Sequence, residues 1–200
     1  TNWGGAAYDP DRSLLIIPIS QTPMFIRLMR TEDISPEEMD QPRQGPIGPP
    51  TEMTGTPYAF QFAPIMSPFF APCNKPPWGE LAAIDLSGDT STKWRFPLGT
   101  LNKLMRIPLP LKFGTPLAGG PTITASGLVF IGASSDEKFR AFDIDTGEQL
   151  WEVDTPASAM ATPMTYEIEG RQFVVVAAGG HMFKGFMNIS DYIVAYALPE

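Results

Sequence analysis

Three hexapeptides, LAAIDL at 81–86, FRAFDI at 139–144 and IVAYAL at 193–198, superpose without gaps, with Ala83, Ala141 and Ala195 in register. A recurring unit of this kind constrains the fold strongly, because each copy must bury its faces against another copy. Tryptophans follow the first two, Trp94 after Asp85 and Trp151 after Asp143. A preceding set of strands, LLIIPIS from Leu14, LVFIGAS from Leu128 and FVVVAAG from Phe173, forms nearly continuous apolar runs, as expected where both faces of a strand are buried. Between 119 and 151 the unit is complete. Strands at 121–124, 128–133, 139–144 and 149–153 are joined by a turn at 125–127, a polar loop at 134–138 and the Asp145-Thr146-Gly147 hairpin. In that hairpin Gly147 tolerates a positive φ, and the Asp and Thr side chains can bond nearby backbone. The pattern predicts an all-β chain, a β-propeller of four-stranded antiparallel blades with the recurring Trp as filler between them. A stacked two-sheet sandwich is the competing arrangement, but it requires no repeat.

The repeat count sets the size. One unit near 1–100 is interrupted by an insertion, one is whole near 118–154, and one near 157–200 lacks its fourth strand. That is an arc of just under three blades, against roughly four to eight in a closed ring. An open arc exposes strand edges. We therefore expect 1–200 to be the C-terminal part of a longer propeller, poorly soluble when alone, with its last blade completed by a strand from the distant N-terminus. The hydrophobic share of 43% and charged share of 18% are ordinary for a globular chain. A net charge of −8, with no clustered Lys and Arg, argues against a nucleic-acid partner. No stretch approaches the ~20 apolar residues of a membrane span. The single cysteine, Cys73, excludes an intrachain disulfide.

The insertion at about 21–79 is rich in Pro and Met. Ser35-Pro36-Glu37-Glu38 reads as a helix start, with an N-cap Ser, a first-turn Pro and a Glu three residues on. Prolines at 42, 46, 49, 50, 57, 64, 68, 72, 76 and 77 argue against a central strand or a long helix in the remainder. Its aromatics are too many for a free linker. It is expected to pack on the body, either shaping a substrate entrance or partner surface or covering sheet faces. The segment 99–114 is apolar enough to dock, and Glu169-Gly170 reads as a hairpin turn. Asp9-Pro10-Asp11-Arg12 reads as a turn, since further oxygen ligands for a calcium loop do not follow.

In a propeller the residues just before each innermost strand line one mouth of the axial channel. Here these are Asn2-Trp3, Leu117-Ala118-Gly119 and Ala159-Met160-Ala161. Gly4, Gly5, Gly119 and Gly120 would allow either close backbone approach to a ligand or tight crowding of blades. Asn2 beside Trp3 offers an amide next to an aromatic plane, which suits a flat, polar cofactor. His181, the only histidine, follows Gly179-Gly180 and is either a proton carrier or ligand or a structural residue. Asp136 and Asp191 read as turn formers or solvated groups. Motifs of the GxSxG, CxxC, HExxH and phosphate-loop types do not occur.

Taken together, NWGGAAYDP, SPFFAPCNKPPWGELAAIDL, GTPLAGGPTITASGLVFIGASSDEKFRAFDIDTGEQLW, ATPMTYEIEGRQFVVVAAGGH and DYIVAYALP closely resemble the C-terminal part of membrane-bound quinoprotein dehydrogenases. These are pyrroloquinoline quinone (PQQ) enzymes typified by quinoprotein glucose dehydrogenase, with quinate and polyol dehydrogenases as close relatives. The resemblance covers essentially the whole chain, whereas DxxTGxxLW alone indicates only a generic PQQ-type repeat. It implies an eight-bladed propeller whose axial pocket holds PQQ and a divalent cation, Ca²⁺ or Mg²⁺. It also implies oxidation of a sugar, cyclic hydroxy acid or polyol by hydride loss to the quinone, with an Asp as base and ubiquinone as electron acceptor. The implied location is the periplasmic face of the bacterial inner membrane, reached through an upstream N-terminal region. The family's catalytic Asp and most cofactor contacts fall upstream, so the fragment alone is expected to be inactive.

By the resemblance, Asn2 matches the family Asn that touches the PQQ and metal region, with Trp3 as its neighbour. Ala118 stands where soluble alcohol dehydrogenases place a Trp, which favours the membrane branch. TPASAMATPMTY replaces the LPAGGQATPMTY of glucose dehydrogenases, and MFKGFMNIS follows His181 in place of a short Gly-rich run. Ala118, Ser158, Met160 and His181 are thus the substrate-channel candidates, and glucose, quinate, shikimate and polyols all stay open. A different class also stays open, the non-catalytic PQQ-repeat propellers that act as assembly scaffolds in the bacterial envelope. The insertion and Asn2-Trp3 favour the dehydrogenase.

Overall fold

The structure, a computed structural model, describes residues 1–42, 47–68, 71–101, 111–180 and 188–198. It divides into two compact units, Thr1–Gln21 with Pro76–Glu200, and Thr22–Lys75. In chain order, β1 (Ala7–Asp9) and β2 (Leu14–Ser20) open the first unit. The chain then forms β3 (Met24–Arg30), β4 (Thr51–Glu52) and β5 (Tyr58–Pro64) in the second, and returns as β6 (Gly79–Asp85) and β7 (Ser91–Pro97). The first sheet has the order β1-β2-β6-β7, so β2 and β6 pair across the whole insertion with Ile16 opposite Ala83.

The second sheet comprises β8 (Thr122–Ile123), β9 (Leu128–Ile131), β10 (Lys138–Asp143) and β11 (Gln149–Asp154), in sequence order. The third comprises β12 (Met164–Ile168), β13 (Arg171–Ala178) and β14 (Tyr192–Ala197). All pairings are antiparallel, as the repeat predicts. The equivalence extends to an irregularity, since the register shifts at Ala83/Ile84 in the first sheet and at Ala141/Phe142 in the second. Glu169 and Gly170 turn their hairpin with φ of 53° and 77°, the left-handed pair that matches strand twist.

Two apolar clusters join the sheets. Leu14, Ile16, Leu81 and Ala83 of the first meet Val129, Ile131, Phe142 and Ile144 of the second. Phe139 of the second meets Val174 and Val176 of the third, with Trp151 and Tyr196 against them. The recurring Trp fills these seams. Trp94 donates its indole N–H to the Ile144 carbonyl at 2.9 Å and lies over Gly147 (φ 73°), where an added Cβ would come within 2.8 Å of the ring. Trp151 packs edge-on against Phe139 and Tyr196. The DTG hairpin is locked locally by Asp143, whose Oδ1 accepts from Asp145 N, Thr146 N and Thr146 Oγ1.

Burial differs from the sequence expectation in one respect. The second strands alternate between buried and half-buried positions, and it is the third strands, β6 and β10, that are covered nearly throughout. Those strands lie inside their sheets with neighbouring layers against them, which is why small alanines recur there. Ala195, in the same register of β14, is exposed, because among the described residues no further sheet packs on that face.

In the second unit the predicted helix start is present. Ser35 caps α1 (Pro36–Met39) in a full capping box with Glu38. The expectation of no central strand is overturned, since this unit forms a sheet of order β3-β5-β4 with β5 in its middle. The reason is local. Pro57 precedes β5 and Pro64 is its last residue, leaving an uninterrupted run of hydrogen-bonding residues between them.

Candidate functional site

Three segments that precede innermost strands, 2–5, 117–120 and 158–162, meet in the first unit. Asn2 Nδ2 reaches the Leu117 carbonyl at 3.5 Å, Gly4 N donates to Ala118 O at 3.4 Å, and Gly120 N donates to Thr162 Oγ1 at 3.2 Å. Ser20, at the end of β2, clamps the middle segment, donating to Leu117 O at 2.9 Å and accepting from Leu117 N at 2.7 Å. These contacts hold the three segments as one rim.

The glycines of this rim serve blade crowding. A Cβ on Gly4 would lie 2.1 Å from Gly120 N, one on Gly120 would lie 1.9 Å from Gly4 O, and one on Gly119 would lie 2.8 Å from Met160 O. Gly5 alone has open space beside it.

The candidate residues separate into two groups. Asn2 and Trp3 are solvent-facing, Trp3 with 65% of its surface exposed. Ala118, Ser158 and Met160 are buried by the chain itself. The stretch containing Ser158 is wedged in place: its carbonyl accepts from Gly180 N at 3.0 Å, and Ala159 O accepts from Ala133 N at 2.7 Å. Ser158 Oγ has no hydrogen-bond partner among the described residues. His181 lies outside the described residues.

The exposed pair suits a flat, polar ring system. The Asn2 Oδ1 is held by Trp3 N at 2.9 Å, which fixes the amide, while among the described residues its Nδ2 donor makes only the long contact to Leu117. That donor and the exposed indole stand side by side at the rim. A divalent cation is a different matter: among the described residues no group of three His, Cys, Asp or Glu side chains could hold one.

Asp136 stands in a turn, as the sequence suggests, but it is not a solvated group. Far from solvated, it is 2% exposed and pairs with buried Arg140 at 2.5 Å, while also accepting from Ser134 Oγ at 2.5 Å and Thr100 N at 3.0 Å. Arg140 Nε continues to Glu152 at 2.9 Å. The signal was an arginine between the apolar residues Phe139 and Ala141 of a buried strand, which needs a buried partner. Asp191 is exposed, as expected. Asp9 is also a turn residue, accepting from Arg12 N, and Arg12 crosses to Asp145 of the second sheet at 3.3 Å. The backbone N–H of Arg12 holds the Asp9 carboxyl below its usual range, and the Lys93 ammonium does the same for Asp145.

Comparisons with known proteins agree with this geometry. Residues 1–174 match the family described as PQQ: glucose/ethanol/alcohol dehydrogenase, beta-propeller domain. The glycerol dehydrogenase large subunit of Gluconobacter oxydans is 38% identical over 100% of this chain and 28% of its own length. Quinoprotein glucose dehydrogenase of Escherichia coli is 39% identical over 99% of this chain and 25% of its own. The quinate/shikimate dehydrogenase (quinone) of Acinetobacter baylyi is 36% identical over 100% and 25%. The chain thus spans about a quarter of the length of these curated relatives. Among solved structures, quinohemoprotein alcohol dehydrogenase from Comamonas testosteroni aligns with a TM-score of 0.54 at 27% identity, over 89% of this chain and 22% of its own. With its four-stranded antiparallel blades, its Trp-filled seams and this match over most of its length, the chain belongs to the PQQ-dependent glucose/ethanol/alcohol dehydrogenase β-propeller family.

Proposed function

We infer that this chain is the C-terminal part of an enzyme that oxidises a sugar, cyclic hydroxy acid or polyol with PQQ and passes the electrons to ubiquinone at the periplasmic face of the bacterial inner membrane. The observation that carries the reading is the exposed Asn2-Trp3 pair on a rim where three blades converge. The chemistry that PQQ supplies when bound is two-electron oxidation of an alcohol to a carbonyl compound. The part of this chain is to seat the ring: Asn2 Nδ2 as a donor to a cofactor oxygen, and Trp3 as a plane against its face. Ala118, Ser158 and Met160 act from behind the rim by fixing where it stands, and His181 remains a candidate for the substrate side. No step is assigned to Ca²⁺ or Mg²⁺ through these residues, since the cation's ligands are proposed to lie elsewhere in the protein, together with the catalytic base. Similarity to glycerol, glucose and quinate/shikimate dehydrogenases at nearly equal identity supports the substrate class without choosing among its members.

The test is dye-linked oxidation by the full-length protein, loaded with PQQ and Ca²⁺ or Mg²⁺, against glucose, quinate, shikimate, glycerol and sorbitol. Cofactor-dependent turnover of one of them is expected. Asn2→Ala should lower that turnover far more than it lowers thermal stability, because the exposed side chain gives the fold one long hydrogen bond to Leu117 and one local bond to the adjacent Trp3 N. Absence of both turnover and PQQ binding would refute the reading.

A further inference from the structure

The exposed Asn2-Trp3 pair belongs to a tight turn, closed by Gly5 N donating to Asn2 O at 3.0 Å. That turn rests on the segment 117–120. Asn2 Nδ2 meets Leu117 O, Gly4 N meets Ala118 O, and Gly4 lies so close that an added Cβ would come within 2.1 Å of Gly120 N. Where Asn2 stands is therefore set by where Leu117 and Ala118 stand.

Both of those residues are buried, and they are held by different means. Ala118 is held by backbone, its N–H donating to Ala133 O at 3.1 Å. Leu117 packs its side chain into the cluster between the first and second sheets, while both of its backbone polar groups go to one side chain. Ser20 Oγ accepts from Leu117 N at 2.7 Å and donates to Leu117 O at 2.9 Å. A hydroxyl carries one donor and two lone pairs, so it can give and take at the same residue as a neighbouring strand would.

The repeat shows that a blade does not require this hold. In the aligned second strands LLIIPIS, LVFIGAS and FVVVAAG, the place of Ser20 is taken by Ser134 and Gly179. Ser134 Oγ turns to Asp136, and the segment of the following blade is met there by backbone, Ala133 N donating to Ala159 O. Gly179 offers no side chain. After Ser20 the chain leaves for the second unit, which begins at Thr22, so a hydroxyl supplies the contact that backbone supplies in the second sheet. Among the described residues, the two-way hold occurs at the segment that carries the Asn2 turn.

We propose that Ser20 is a positioning residue for the cofactor site, fixing Leu117 and through it the place from which Asn2 Nδ2 meets PQQ. The inference rests on the reading of Asn2 given above. Ser20 does this without touching the cofactor: removal of Oγ leaves the N–H of buried Leu117 without its acceptor, and the segment must shift to recover one, carrying the Asn2 turn with it.

The test is equilibrium binding of PQQ to the full-length apoprotein in excess Ca²⁺, read by quenching of tryptophan fluorescence, with urea unfolding of each apo variant alongside. Ser20→Ala should weaken PQQ binding by about tenfold, the scale on which loss of a supporting residue acts on a site. Ser20→Thr keeps the hydroxyl and should stay within about threefold of the unsubstituted protein. Ser20→Cys fills the same space with a weak donor and acceptor, so it should fall between the two and carries the test if Ser20→Ala does not fold. In an Asn2→Ala background the further loss from Ser20→Ala should shrink to about threefold or less, because the group it positions is gone, whereas its effect on the urea midpoint should persist in full. Unchanged binding in Ser20→Ala, or in Ser20→Cys where the alanine variant does not fold, while Asn2→Ala binds weakly, would overturn the proposal. Fully additive losses in the double variant would also overturn it. Unchanged binding in Asn2→Ala would remove the reading of Asn2 itself, and the proposal with it.

Discussion

Gly147→Ala tests whether the tryptophan of one blade is seated on the hairpin of the next. Gly147 has φ 73°, and an added Cβ would approach Trp94 Cδ2 to 2.8 Å and Cγ to 3.0 Å. Holding an alanine in the left-handed region costs about 1–2 kcal/mol, reduced by about 0.4–1 kcal/mol because the unfolded chain also loses freedom. Forcing the indole aside adds an overpacking cost of about 1–3 kcal/mol and strains its hydrogen bond to Ile144 O. The total is about 1–5 kcal/mol. Gly170→Ala supplies the reference, since Gly170 has a similar φ of 77° but nothing within 4 Å of its would-be Cβ. Only the backbone cost applies there, about 1 kcal/mol or less. Urea unfolding of both full-length variants, followed by tryptophan fluorescence, measures the difference directly. Equal destabilisation by the two substitutions would refute the docking of Trp94 on Gly147.

Other consequences are as specific. Asp136→Asn should destabilise the protein by about 3 kcal/mol, because it leaves Arg140 buried with only Glu152 as counter-charge; replacing the pair together, as Asp136→Leu with Arg140→Met, should cost less than that single change. Urea midpoints of the two variants decide this, and a costlier double replacement would contradict it. The Asp143 carboxyl is held below its ordinary range, chiefly by the Thr146 backbone N–H, so its contribution is present above the unfolded-state value near pH 4 and is lost as pH falls through the lower folded value. Asp143→Asn should therefore flatten the acid limb of a thermal-midpoint profile, and an unchanged slope would show that Asp143 is not a determinant. Asn2→Ala should uncouple PQQ-dependent turnover from stability, and equal loss of both would make Asn2 structural.

Much of the architecture was legible because it is written in local pattern. Apolar alternation and turn residues located the strands, the DTG hairpin and Glu169-Gly170 to within a few residues, since both signals depend on near neighbours in the chain. The repeat then implied how sheets stack, and the Trp positions named the filler. Misreadings arose where composition stood in for spacing. Prolines counted across the insertion hid the uninterrupted run that became β5, and Asp136, in a turn as read, was not recognised as buried because its partner, Arg140, sits in the following strand.

The sequence alone was sufficient for the repeat, the blade order and the family resemblance, because each rests on residue identity at fixed spacing. The site's division into exposed and buried members was settled by tertiary structure. Asn2 meets Leu117 across 115 positions, and Gly4 lies against Gly120. Whether a rim residue faces solvent or is sealed between blades depends on such distant packing. That is why Asn2 and Trp3 stand open while Ala118, Ser158 and Met160, equally placed before innermost strands by the sequence, are enclosed.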